Sequence, residues 1–261
     1  MHGHIESLGY KIENGLYLYF DGKLTGDLTS YEIFHGYCLA LTFFYTNGRA
    51  SCKAVQETGV KDGLRLYIDK FDKFGVDPDD VVTLEIANRA KIDECYQRIL
   101  PHMATKDFNP VRNSIEFFSL FSKEYEIRVR LLYLSICLES LFLEGNDIEG
   151  IGHKLGLRCA AFLSHFDAKI DSSLTFSEVK IGYALRSKII HGANYQKESK
   201  EVLRKPASKA TKESDHALIL EKILKNVFHS LLLSEEFYTA ALDRTLGNKI
   251  DQELVLDKLG V

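Results

Sequence analysis

The segment Arg186-Ser187-Lys188-Ile189-Ile190-His191-Gly192 sets a guanidinium and an imidazole five residues apart, with a glycine directly after the imidazole. A guanidinium fork matches two oxygens of a phosphate diester. A neutral imidazole near its working pH takes a proton from a ribose 2′-OH or gives one to a leaving 5′-oxygen. One histidine does not readily do both in one step, whereas two copies facing each other across a symmetric dimer can. On an ideal helix His191 lies about 140° round from Arg186, although it falls at the expected helix end, where the backbone leaves ideality. The same helix has Ile181, Ala184, Leu185 and Ile189 on one side. Val179, Tyr183 and Ile190, with Arg186 among them, lie on roughly the other. Both sides then need cover, and a partner subunit is the economical source for the second. Arginine in a surface destined for burial needs an anion to offset its desolvation.

Each feature has a plainer reading. A helix-end histidine can simply interact with the terminal carbonyls, and the arginine can be a surface residue. The bare spacing is weakly specific, and Arg158-x6-His165 is a rival for it. Glu139, an acid within the apolar run Leu131 to Leu143, is costly there without a partner, or else sits at an exposed edge. The stretch from Lys180 to Glu213 holds nine Lys/Arg against three Glu. Lys180, Lys188 and Lys197 within it are candidate RNA contacts, and a solvated loop is the alternative. His153 and His165 are too far apart for one helical face, and His2 and His4 stand at the beginning of the chain. No metal site, cofactor, phosphate-cradling glycine loop or Gly-x-Ser-x-Gly elbow is expected.

The elements that must position these groups come in two textures. Up to about residue 70, Asn14-Gly15, Asp21-Gly22, Asn47-Gly48 and Asp62-Gly63 favour tight turns between strand-like runs, Leu16–Phe20 and Tyr37–Tyr45 among them. Asp77–Asp80 reads as a turn or helix start, and Val81–Ile86 as either strand or helix. From Asn109-Pro110 onward the pattern is helical: Ile115, Phe118 and Phe121, then Ile127–Leu143, then Ile151–Phe166. Thr175-x-x-Glu178 has capping-box spacing and would open a fourth helix, ending near His191 with Gly192 at the left-handed position. Gln196–Asp215 reads as a mobile loop, and a last helix runs from His216 past Phe237. The expected fold is α+β: a small antiparallel-sheet-containing domain over 1–105, then an all-α helical bundle over 106–261.

With 45% apolar and 27% charged residues, the 261-residue chain is ordinary globular material. A net charge of −4 excludes coating nucleic acid by bulk charge. No signal peptide is read in the N-terminal sequence, and no apolar stretch is long enough to span a membrane. The five cysteines form no CxxC pair and read as reduced core thiols. A cytoplasmic protein is expected.

Arg186-x4-His191-Gly192, preceded by Tyr183 and by Leu-Glu-x-Leu-Phe at Leu138–Phe142, resembles the HEPN superfamily, most of all its Apea-like branch. The resemblance covers roughly residues 110–240 and leaves 1–105 without a role. It implies an all-α bundle that dimerises through the motif-bearing helix. For active members it implies metal-independent RNA cleavage to 2′,3′-cyclic phosphate and 5′-hydroxyl ends. Many such proteins serve in phage defence (abortive infection) or as toxins, so an antitoxin or defence-system partner is a further implied contact. By position, Arg186 and His191 take the catalytic pair and Ser187 the polar position after the arginine. Glu139 becomes the acid that orients or tunes Arg186. A non-catalytic module of the same type, binding RNA or protein, is the alternative.

Overall fold

A computed structural model describes the backbone of residues 7–12, 16–21, 30–45, 48–55, 64–73, 88–104, 107–192, 195–203, 210 and 212–256. It describes side chains for 32, 35–45, 88–103, 107–192, 199–203, 210 and 212–255. The chain divides into two compact units, Met1–Lys106 and Asp107–Val261.

In the first unit, α1 (Ser30–Phe44) packs on α2 (Arg89–Ala104). Their contact centres on Tyr37 and Tyr96, both buried, with ring centroids 5.2 Å apart. Backbone segments β1 (Ser7–Ile12), β2 (Leu16–Asp21), β3 (Gly48–Val55) and β4 (Leu64–Lys73) pair antiparallel in the order β1-β2-β4-β3. The expected α+β class is nevertheless corrected to a mostly all-α one. Of the residues whose side chains are described, 82% are helical and none lies in a strand. Tyr37–Tyr45, expected as a strand, forms the end of α1 and the residue after it. An apolar run without alternation suits a helix enclosed by neighbours as well as a strand, and here burial of Tyr37 to Phe43 decided for helix. The Asn14-Gly15 and Asp62-Gly63 turns, Gly22, Asn47 and the 77–86 segment lie outside the described residues.

The second unit is a helical bundle. α3 (Pro110–Lys123) starts where Asn109 Oδ1 accepts the Arg112 N–H at 2.9 Å, with Pro110 at the first helical position. α4 (Ile127–Phe142) lies against it. The two are clasped reciprocally: Ser114 Oγ donates to the Cys137 carbonyl (3.1 Å), and the Cys137 thiol donates to the Ser114 carbonyl (3.2 Å). α5 (Ile151–Phe166) pairs closely with α6 (Ser172–Ile190). α7 (Tyr195–Leu203) follows, then α8 (Glu213–Leu232), α9 (Glu235–Leu242), α10 (Leu246–Ile250) and a π-helical turn, Asp251–Leu256. The core runs through Phe118, Leu134, Phe142, Phe162, Leu224 and Phe228, each at most 1% exposed. Burial of a side chain of this size stabilises by roughly 1.5–3 kcal/mol.

Three local readings are corrected. α6 begins at Ser172, capped by Asp171, whose Oδ1 accepts the Leu174 N–H at 2.9 Å. Thr175 and Glu178 are therefore interior positions, and Glu178 is fully buried. The proposed loop from Gln196 contains α7, and Ser199, Val202 and Leu203 are buried. The last helix is two helices, because Ser234 Oγ accepts the Phe237 N–H and starts α9 afresh. Among the cysteines, Cys38 is disulfide-bonded rather than reduced, while Cys95, Cys137 and Cys159 are free and buried. Burial pushes the Cys95 thiol up to about 12, so it supplies no thiolate near neutral pH.

Candidate functional site

α6 crosses both α4 and α5, and its last two turns hold the residues singled out from sequence. Arg186 reaches across to α4, where its Nε lies 3.1 Å from Glu139 Oε1. The separation is that of an ion pair, but the angle is not that of a hydrogen bond, and neither atom has another hydrogen-bonding partner among the described residues. The two side chains are 25% and 19% exposed, so the pair is partly screened from water while Arg186 stays reachable. Burial raises the Glu139 carboxyl above its ordinary range, and the neighbouring Arg186 charge works against that rise. Glu139 is thus neither an exposed edge nor an unpaired buried acid.

On its other side Arg186 has Tyr183, one turn earlier on α6, with the guanidinium carbon 5.7 Å from the ring centroid. Tyr183 in turn lies against α5 at Gly152. Val179, expected on an outward face, is 1% exposed, covered by its own chain. Only Ile190 of that face is open, at 49%. The expected second apolar face therefore reduces to the last turn of the helix.

His191 is the C-terminal cap. Its N–H donates to the Ser187 carbonyl at 3.1 Å, its backbone sits at φ −82° and ψ 4°, and its side chain is exposed. Gly192 follows at φ +61°, the left-handed turn that ends the helix. Among the described residues, Arg186 pairs with Glu139 and Tyr183 and not with His191. The structure thus gathers Arg186, Glu139 and Tyr183 and leaves the imidazole apart, at the exposed helix end. Ser187 and Lys188 are half-buried. Lys180 is exposed, its ammonium 4.9 Å from the Phe176 ring centroid. Lys197 belongs to α7, and its side chain lies outside the described residues.

The rival Arg158 has a different occupation. It is 3% exposed, donates from Nη1 to the Phe142 carbonyl (2.7 Å), and holds Asp147 and Asp251 in ion pairs. That guanidinium is saturated by the fold and cannot take a substrate phosphate. Sequence reasoning also missed a fully buried pair, Glu178 Oε2 to His216 Nδ1 at 3.0 Å, which joins α6 to α8. The capping-box reading of Glu178 hid it. Among the described residues no group of three or more His, Cys, Asp or Glu is placed to hold a metal ion. No helix of the described residues is long and apolar enough to cross a membrane. Comparison with protein-family models, with curated proteins and with solved structures returns no match.

Proposed function

We propose that this chain is a metal-independent endoribonuclease of HEPN type, working as a homodimer that joins two copies of the end of α6. The observation that carries the reading is the pairing of Arg186 with Glu139 on a neighbouring helix. It holds a reachable guanidinium in place at the one turn of α6 that leaves an apolar residue, Ile190, uncovered. In the reaction the ribose 2′-oxygen attacks the adjacent phosphorus and the bond to the 5′-oxygen breaks, leaving a 2′,3′-cyclic phosphate and a 5′-hydroxyl. Arg186 offsets charge on the pentacoordinate phosphorus. His191 of one copy accepts the 2′-OH proton, and His191 of the other donates a proton to the departing 5′-oxygen. Exposure of the imidazole suits that division, because each chain offers it outward. Phage defence, or a toxin controlled by a partner, is the setting we assign to such an activity.

One observation favours a second reading, a non-catalytic module binding RNA or protein: among the described residues the guanidinium pairs with Glu139 and Tyr183 and no hydrogen bond or ring contact joins it to the imidazole. Incubation of the purified protein with total RNA in EDTA separates the two. Cleavage that survives the chelator and vanishes in both Arg186→Ala and His191→Ala supports the nuclease. Intact RNA with retained binding supports the module.

A further inference from the structure

A Cβ built on Gly152 of α5 would stand 2.7 Å from Cδ1 of Tyr183, 3.3 Å from its Cγ and 3.5 Å from its Cε1. Carbon atoms in contact settle at about 3.5–4.0 Å, so a methyl group there overlaps the ring. Cγ is close as well, and spinning the ring about its own axis leaves Cγ where it is. Relief requires the whole ring to swing about χ1, or α5 and α6 to part. Four residues on, Gly156 meets the backbone of the same helix. Its added Cβ would be 2.9 Å from the Phe176 carbonyl oxygen and 3.2 Å from Lys180 Cγ. Parting α5 from α6 would forfeit the close packing at Gly156 and along the rest of the seam, whereas swinging one ring gives up only its own contacts, so the ring is the part that yields. The displaced ring is the one beside the Arg186 guanidinium, at 5.7 Å, and that guanidinium is the one 3.1 Å from Glu139.

We infer that Gly152 is a positioning residue for Arg186: its missing side chain lets the Tyr183 ring lie against α5, and the ring so seated keeps the guanidinium against Glu139. The relay runs from α5 through α6 to α4, so three helices fix one charged group. The placement of Arg186 stands on geometry alone. Its meaning for RNA cleavage rests on the nuclease reading.

The test titrates the Glu139 carboxyl by carbon-13 NMR in the full chain, assigned by its loss in Glu139→Gln. Arg186→Gln supplies the reference for a carboxyl without its cation, with a midpoint higher by about one pH unit. Gly152→Ala is expected to move the midpoint most of the way to that reference. Tyr183→Ala, which removes the seated ring, is expected to move it likewise, and adding Gly152→Ala to Tyr183→Ala is expected to move it no further. A Gly152→Ala midpoint equal to wild type overturns the inference. So does a Tyr183→Ala midpoint equal to wild type, a further shift when Gly152→Ala is added to Tyr183→Ala, or a Gly152→Ala chain that fails to fold and is not rescued by Tyr183→Ala. RNA cleavage measured alongside is expected to fall roughly 10²-fold in Gly152→Ala, the scale of an ångström-sized misplacement. No cleavage by the wild type overturns the nuclease reading and leaves the titration to decide the role of Gly152.

Discussion

Glu139 on α4 and Arg186 on α6 face each other at 3.1 Å, 47 positions apart in the chain, each about a fifth to a quarter exposed. In Glu139→Gln the amide keeps the shape and drops the charge. The guanidinium then loses its electrostatic anchor while the fold around it holds, so stability changes by about 1 kcal/mol or less. RNA cleavage is expected to fall by at least about tenfold, since a guanidinium free to wander offsets less charge at phosphorus. Urea unfolding and single-turnover cleavage on the same preparation separate the two effects.

Ile190 is the open apolar residue of α6, and Ile190→Asp is expected to turn a dimer into a monomer in size-exclusion chromatography with light scattering. Tyr183→Asp is a poorer probe, because the ring also packs on Gly152. Unchanged mass for Ile190→Asp removes the α6 end from the subunit contact.

The Asp147 carboxyl is fixed by the fold. Burial pushes its pKa up, but hydrogen bonds from Arg158, the Glu144 N–H and Lys154 outweigh it and hold the value at about 2. An unfolded aspartate titrates near 3.9, about two units higher. The depressed folded value means that the stabilisation is fully present above about pH 4 and fades as pH falls through about 2, amounting to roughly 2–3 kcal/mol. Asp147→Asn is expected to be less stable at neutral pH and to lose less stability than wild type between about pH 4 and 2. Denaturant midpoints across that range check it.

Glu178 and His216 are both fully buried, so Glu178→Ala leaves the Nδ1 of His216 without this partner and opens a cavity between α6 and α8. A loss of about 2–4 kcal/mol is expected, without loss of the exposed His191 side chain from the surface. Chemical unfolding measures the loss. A change below about 0.5 kcal/mol assigns the pair no structural weight.

Gly192 adopts φ +61°, where a Cβ is strained although nothing lies within 4 Å of it. Gly192→Ala is expected to cost about 1 kcal/mol, through backbone conformation alone. Because the turn it makes fixes the end of α6, the same variant is expected to slow cleavage by shifting His191.

Much of the second unit was legible because its signals are local. The bounds of α4 and α5, Asn109-Pro110 at the head of α3, and Gly192 at the end of α6 follow from apolar spacing, capping and left-handed φ, which neighbouring residues alone determine. Thr175-x-x-Glu178 misled for a complementary reason. The spacing of a capping box is indifferent to whether the carboxylate turns back to its own helix or inward to another. Asp171 supplied the cap, and His216, 38 positions on, took the carboxylate.

The residue types and spacing of Arg186, His191 and Gly192, and the helix that carries them, are properties of the sequence by itself. Which charges meet is not. Arg158 and Arg186 are the same side chain on helices of similar apolar character, yet one is neutralised inside the bundle by Asp147 and Asp251 and the other is left half-open beside Glu139. Tertiary packing alone made that choice, because a buried charge is tolerated only where distant segments bring its counter-charge. The same holds for the strand expected at Tyr37–Tyr45: an apolar run states that it will be buried, and the neighbours that bury it decide in what form.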